Sequence, residues 1–191
     1  MSIQKLWATP IYRANINDDA LIQAIVNEVM CDPDASSNNA CEISRDKACK
    51  KIAENDGVFS VAVQYMYKAV EEYLQEAYGV INAEYHIDPF YLLHHQGGSV
   101  QYHNHPGSSF TGILYVSVPS GHVSLLDPRV NANRGMMPAV QDMGHFKPVD
   151  ILPVAGDIII FPSYVYHLGT PNLVRQPRIV MPFDVNAVFD E

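Results

Sequence analysis

Three histidines and one arginine are the residues of this chain whose types and spacing could do chemistry. His103 and His105 are separated only by Asn104 and followed at once by Pro106-Gly107. His167 stands alone farther along, just past the run Asp157-Ile158-Ile159-Ile160-Phe161-Pro162. In a strand, residues two apart project from one face, so His103 and His105 can hold two adjacent corners of one metal ion at a strand's end. The Pro-Gly pair stops that strand, and the strand opposite would deliver His167 as a third ligand from the rear of a barrel. Three imidazoles leave half of an octahedron open to substrate and dioxygen, and imidazole nitrogen suits Fe, Zn, Cu or Ni. The spacing does not choose the metal.

Arg178 opens the run Arg178-Ile179-Val180-Met181-Pro182-Phe183. A guanidinium at the head of an otherwise apolar strand is costly to bury unless it meets an anion, and its planar fork matches a carboxylate. Arg175 sits in the turn before that strand and reads as solvated. Of His94 and His95, one is expected to face the interior and the other outward, in a packing or surface role. His86 and His122 read as strand-exterior residues and His145 as a loop residue. Tyr164 and Tyr166 share a face, packed at the mouth, and Asp127-Pro128-Arg129 reads as a turn with a local ion pair.

Two helices and a set of strands must position these groups. Leu6 to Tyr12 suits a first strand. Asp18 and Asp19 introduce an amphipathic helix over Ala20 to Met30, and apolar residues recurring between Val58 and Tyr78 predict a long helix that ends at Gly79 with Glu71 and Glu72 facing water. From Tyr85 the pattern changes to short runs broken by Gly, Pro, Asn and Asp. The predicted strands are Tyr91 to His95, Val100 to His105, Thr111 to Val118, His122 to Leu126, Asp150 to Pro153, Asp157 to Phe161 and Arg178 to Val185. Helices preceding strands are the α+β signature of helices packed on one side of an antiparallel sandwich or barrel. The segments 31–56 and 127–149 read as long loops, of the kind that become lids or binding segments.

Composition fits a globular, mainly β chain with a full core: 48% of its 191 residues are hydrophobic and 17% charged. A formal charge of -9 argues against nucleic acid as a partner, since an extended footprint would have to overcome repulsion of phosphate. No apolar run approaches the length of a membrane span or a secretory signal, so a cytoplasmic protein is expected. Cys31, Cys41 and Cys49 form no C-x-x-C pair and read as free thiols.

The order His103-Asn104-His105-Pro106-Gly107-Ser108, Phe110-Thr111-Gly112-Ile113-Leu114-Tyr115-Val116, Asp127-Pro128-Arg129, then Gly156 to Ser163 with His167, and lastly Arg178, resembles the iron(II)/2-oxoglutarate-dependent oxygenases. Within them it looks most like a small bacterial and phage branch. The likeness implies a double-stranded β-helix, the jelly-roll barrel, with two N-terminal helices packed on one face. It implies a single domain over 1–191, with the strand and helices in 1–84 and the jelly-roll core in 85–191. It makes His103 and His167 iron ligands, and Arg178 the partner of the distal carboxylate of 2-oxoglutarate. Tyr115 falls where related prolyl hydroxylases place a tyrosine that touches the same carboxylate.

His105 stands where most of that superfamily carries Asp or Glu, which raises the charge of the site by one unit. Either His105 is the third ligand, or a distant carboxylate such as Asp157 is and His105 supports it. The resemblance implies a dioxygenase that uses Fe(II), dioxygen and 2-oxoglutarate to hydroxylate a small molecule or protein side chain, forming succinate and CO2. The alternatives are a cupin-like three-histidine metalloenzyme without 2-oxoglutarate and a non-catalytic jelly-roll binding module. Jelly rolls with exposed edges often form homodimers.

Overall fold

The structure, a computed structural model, describes residues 8–32, 57–129 and 147–187. Leu6 and Trp7, most of the two expected loops, Cys41, Cys49 and His145 lie outside the described residues.

Helix α1 spans Asp19–Cys31, and the Asp18 carboxylate caps it by accepting from the Leu21 N–H at 2.9 Å. Helix α2 spans Val58–Tyr78 and buries Phe59, Met66, Val70 and Tyr73 on one side. Gly79 ends it in the left-handed region, φ 68°, with its N–H returned to the Gln75 carbonyl at 3.0 Å. Glu71 faces water, whereas Glu72 is half-buried and accepts from the Tyr12 hydroxyl. No described helix is long and apolar enough to cross a membrane.

The strands are β1 Tyr12–Asn15, β2 Tyr85–Pro89, β3 Leu92–His94, β4 Val100–His103, β5 Phe110–Ser117, β6 Val123–Leu125, β7 Val149–Ile151, β8 Asp157–Pro162, β9 His167–Gly169 and β10 Arg178–Ala187. They form two antiparallel sheets, one in the order β1-β8-β5-β10-β2 with β3 also on β10, the other β4-β9-β6-β7. This is the double-stranded β-helix of a jelly roll. Among the described residues its two sheets do not join into one closed barrel.

Period-two alternation on three strands divides the molecule into layers. Leu114, Val116, Ile158, Ile160, Ile179, Met181 and Phe183 face α1 and α2 and form the main core with them. Ile113, Tyr115, Ile159, Phe161 and Val180, one residue out of phase, face inward and pack with Val123 and Leu125 of the smaller sheet. Each such large apolar side chain stabilises the fold by roughly 1.5–3 kcal/mol on burial, so the large sheet is anchored from behind while its front stays available for a cavity.

Four sequence expectations need correction. The first strand begins at Tyr12, because it pairs with β8 from Tyr12↔Ile160 to Asn15↔Asp157. β4 ends at His103, where the chain enters the Asn104-His105-Pro106-Gly107 turn. β2 and β9 were not expected as strands; His167 opens β9 and pairs with β4 in the same sheet instead of arriving from the one opposite.

Candidate active site

The antiparallel register of β4 and β9 sets His103 directly against His167, with ring centroids 4.2 Å apart. His105 lies two residues beyond the end of β4, and its backbone N–H donates to the Ser163 carbonyl at 3.1 Å. That bond turns the loop back, so the His105 ring centroid lies 5.0 Å from that of His103 and 5.3 Å from that of His167. One nitrogen from each ring lies within 4.8 Å of the other two, close enough to share an ion.

Two of the Nδ1 atoms meet backbone acceptors, the Gln101 carbonyl at 2.8 Å for His103 and the Val165 carbonyl at 3.1 Å for His167, while the His105 Nδ1 lies 2.6 Å from Asp184 Oδ1 as a charge contact outside hydrogen-bond geometry. Acceptors at Nδ1 hold the proton there and leave Nε2 with its lone pair. The His105 Nε2 is buried with no hydrogen-bond partner, which a metal ion would supply. Burial pushes His167 down to about 4, with His103 adding repulsion. Burial also lowers His103, opposed by its hydrogen bond to Gln101. Both rings are therefore neutral near pH 7, the state a metal requires.

The rings form one part of a cavity between the sheets that encloses about 660 Å³, counting its open mouth. Arg178, 4% exposed, lies in the same cavity. Its Nη1 donates to the Thr170 carbonyl at 2.7 Å. Gly121 makes room for the guanidinium, since a Cβ there would fall 2.3 Å from Nη1, whereas one at Gly169 would meet Nη2 at an ordinary contact distance of 3.5 Å. Buried Tyr115 lines the same cavity, and burial raises its hydroxyl well above the usual phenol range although Arg178 pulls the other way. His94, opposite Arg178 in the β3–β10 register, is held neutral down to about 4, by burial first and then by Arg178. Fully buried Asn172 braces this region: its amide donates to the His94 and Gln176 carbonyls at 3.0 and 2.8 Å and accepts from Ser120 at 2.7 Å.

The structure thus brings together all five residues singled out from the sequence: His103, His105, His167, Arg178 and Tyr115. Asp157 is not with them. It begins β8 and is occupied by Arg13 Nη2 at 2.7 Å, Asn15 Nδ2 at 3.0 Å and the Val154 N–H at 2.9 Å. His122 lines the cavity instead of facing outward, His94 is the inward member of its pair, and Tyr164 and Tyr166 are exposed rather than packed. His86 is exposed, as expected, 3.6 Å from Asp88. Arg129 pairs with Asp127 at 2.7 Å within the expected turn. Sequence reading missed Thr111, whose buried Oγ1 has no partner, and Asp184, which shares inward parity with Arg178 on β10. That shared parity is the signal that could have found Asp184.

A family model described as "Putative 2OG-Fe(II) oxygenase" matches residues 90–184. Over those residues the chain matches the 2OG-Fe(II) oxygenases, a family defined by Fe(II) and 2-oxoglutarate. Similar solved structures include a Pseudomonas putida prolyl-4-hydroxylase, 14% identical over 95% of this chain and 94% of that one, with TM-score 0.65. HygX from Streptomyces hygroscopicus with nickel and 2-oxoglutarate bound is 12% identical over 95% and 84% of the two chains, TM-score 0.63. SnoN, a non-heme alpha-ketoglutarate-dependent epimerase from nogalamycin biosynthesis, is 13% identical over 94% and 79%, TM-score 0.64. At these identities the likeness is one of fold. No curated protein sequence matches the chain.

Proposed function

We propose that the protein is a non-haem Fe(II)- and 2-oxoglutarate-dependent dioxygenase that hydroxylates a small molecule or a protein side chain. His103, His105 and His167 hold the metal, and Arg178 with Tyr115 holds the distal carboxylate of 2-oxoglutarate. The observation that carries this reading is one cavity with two kinds of group: three imidazoles with one nitrogen each within 4.8 Å of the others, and a buried guanidinium against Gly121. When bound, the iron and keto acid supply the oxidising power: dioxygen gives one oxygen to a substrate C–H and one to succinate, with loss of CO2.

The chain's own part is positioning. The Nδ1 hydrogen bonds of His103 and His167 fix their tautomers, and burial keeps both rings from protonating. Arg178 offers a planar fork to one carboxylate, while the raised phenol of Tyr115 stays protonated and donates to the same group. Leu92, Val100, Ile113, Val123 and Val180 line the cavity and limit water around these groups. The pairing of β1 with β8 supports treating the N-terminal segment and the sandwich as one domain.

A three-histidine enzyme without 2-oxoglutarate would have no use for a buried guanidinium in its cavity. The test is to add Fe(II) and 2-oxoglutarate to the anaerobic apoprotein and record the metal-to-ligand charge-transfer band, then measure succinate in air. A band and succinate are expected. Normal iron uptake with neither would overturn the proposal.

A further inference from the structure

We infer that Asp184 is a positioning residue for the metal centre, acting through His105 to supply the negative charge that the three-histidine set lacks. The inference rests on the ligand set proposed above.

Asp184 lies within β10, between Phe183 and Val185, which are buried on the helix side of the sheet. Its own side chain turns to the opposite face, that of Val180 and Pro182, which line the cavity. It is 2% exposed, and its carboxylate lies 2.6 Å from the His105 Nδ1. A carboxylate buried in a strand costs several kcal/mol unless it is paired, so its retention calls for a partner that uses its charge.

The three rings are not backed equally. His103 and His167 donate to neutral backbone carbonyls, whereas His105 alone faces an anion. A divalent ion held by three imidazoles would gain no negative charge from its ligands, in a cavity that already holds Arg178. No acidic side chain is among the described residues that line this cavity. Asp184, one ring behind the lining, is placed to offset that charge. Its negative charge, 2.6 Å from Nδ1, raises electron density on the His105 ring and so strengthens Nε2 as a donor to the metal.

The direct test is competition titration of Zn(II) and anaerobic Fe(II) into four apoproteins: wild type, Asp184→Asn, His105→Ala and the double variant. Asparagine keeps the shape and one acceptor oxygen, removes the charge and puts a donor NH2 in place of the second oxygen. Asp184→Asn is expected to weaken metal binding about 10–100-fold, and the double variant to bind no more weakly than His105→Ala alone. Unchanged affinity in Asp184→Asn would overturn the inference. So would a loss of equal size in the His105→Ala background, because Asp184 would then act by another route. Failure of the wild type to bind either metal would instead remove the ligand set itself. Should Asp184→Asn not fold, nitrogen-15 NMR of the wild-type apoprotein decides. His105 is expected as the Nδ1–H tautomer with the most downfield ring proton of the three, and an Nε2–H tautomer would refute the assignment.

Discussion

His103 and His167 are cross-strand partners in the β4–β9 register, and theirs is the closest ring approach of the three histidines, 4.2 Å between centroids. A backbone ladder therefore fixes this pair. His105 lies off the ladder and is held by Ser163 and Asp184.

Loss of a ladder-held ring should cost more than loss of a supporting partner. His167→Ala is expected to lower Fe(II) affinity by well over the roughly 100-fold that a supporting residue can command, and to abolish the charge-transfer band. Anaerobic titration measures both. Retention of tight binding in His167→Ala would contradict the ligand assignment.

The metal-free protein should lose stability in mild acid. His94 and His167 are depressed to about 4, both by burial first, whereas the unfolded chain protonates its histidines near 6.5. Between those values the unfolded state binds more protons, so stability present above about pH 6.5 is lost as pH falls towards 4. Melting curves across that window should show a Tm that falls with pH, and His94→Gln should flatten part of the fall. A level profile would show that the two rings are not held neutral.

The space around Arg178 can be tested without touching the metal. Arg178→Gln removes a charge-assisted contact worth about 1.5–3 kcal/mol, so half-saturation by 2-oxoglutarate should rise roughly 10–100-fold while Fe(II) affinity holds. Gly121→Ala should act in the same direction. Its Cβ would meet Nη1 at 2.3 Å, and at φ +86° an alanine is strained in any case. Succinate formation against 2-oxoglutarate concentration measures both variants, and an unaltered Arg178→Gln curve would remove the residue from the co-substrate site.

Thr111 should show opposite effects with and without ligands. Its buried Oγ1 has no partner, a state that costs about 1–3 kcal/mol. Thr111→Val is therefore expected to raise the Tm of the ligand-free protein by roughly 2–4 °C for each kcal/mol recovered, and to weaken whatever ligand satisfies the hydroxyl in the loaded cavity. A fall in ligand-free Tm would mean that the hydroxyl already contributes to the fold.

What the sequence revealed follows from how local each signal is. The limits of α2 were readable because apolar periodicity and the Gly79 cap lie within one stretch of chain. The end of β4 was misplaced because alternation continues through Asn104 and His105 while the turn has already begun. β9, three residues long, offers no period to detect, and β2 is interrupted by His86 and Asp88. The histidines and Arg178 stand out by residue type in apolar runs. Thr111 and Asp184 do not, since their importance arises from the register of β5 against β10, where Thr111 lies opposite Asp184. No local pattern encodes that pairing.

β10 carries Arg178 at its first residue and Asp184 six residues on, with Val180 and Pro182 between them on the same side. At about 3.3 Å per residue the strand sets a fixed span of roughly 20 Å between the two side chains' backbone origins. The strand thereby ties the position of the guanidinium to that of the carboxylate behind His105. A single inserted or deleted residue within that span would swap inside for outside along the remainder of the strand, so gain or loss of one codon there should be far less tolerated than an exchange of one apolar side chain for another.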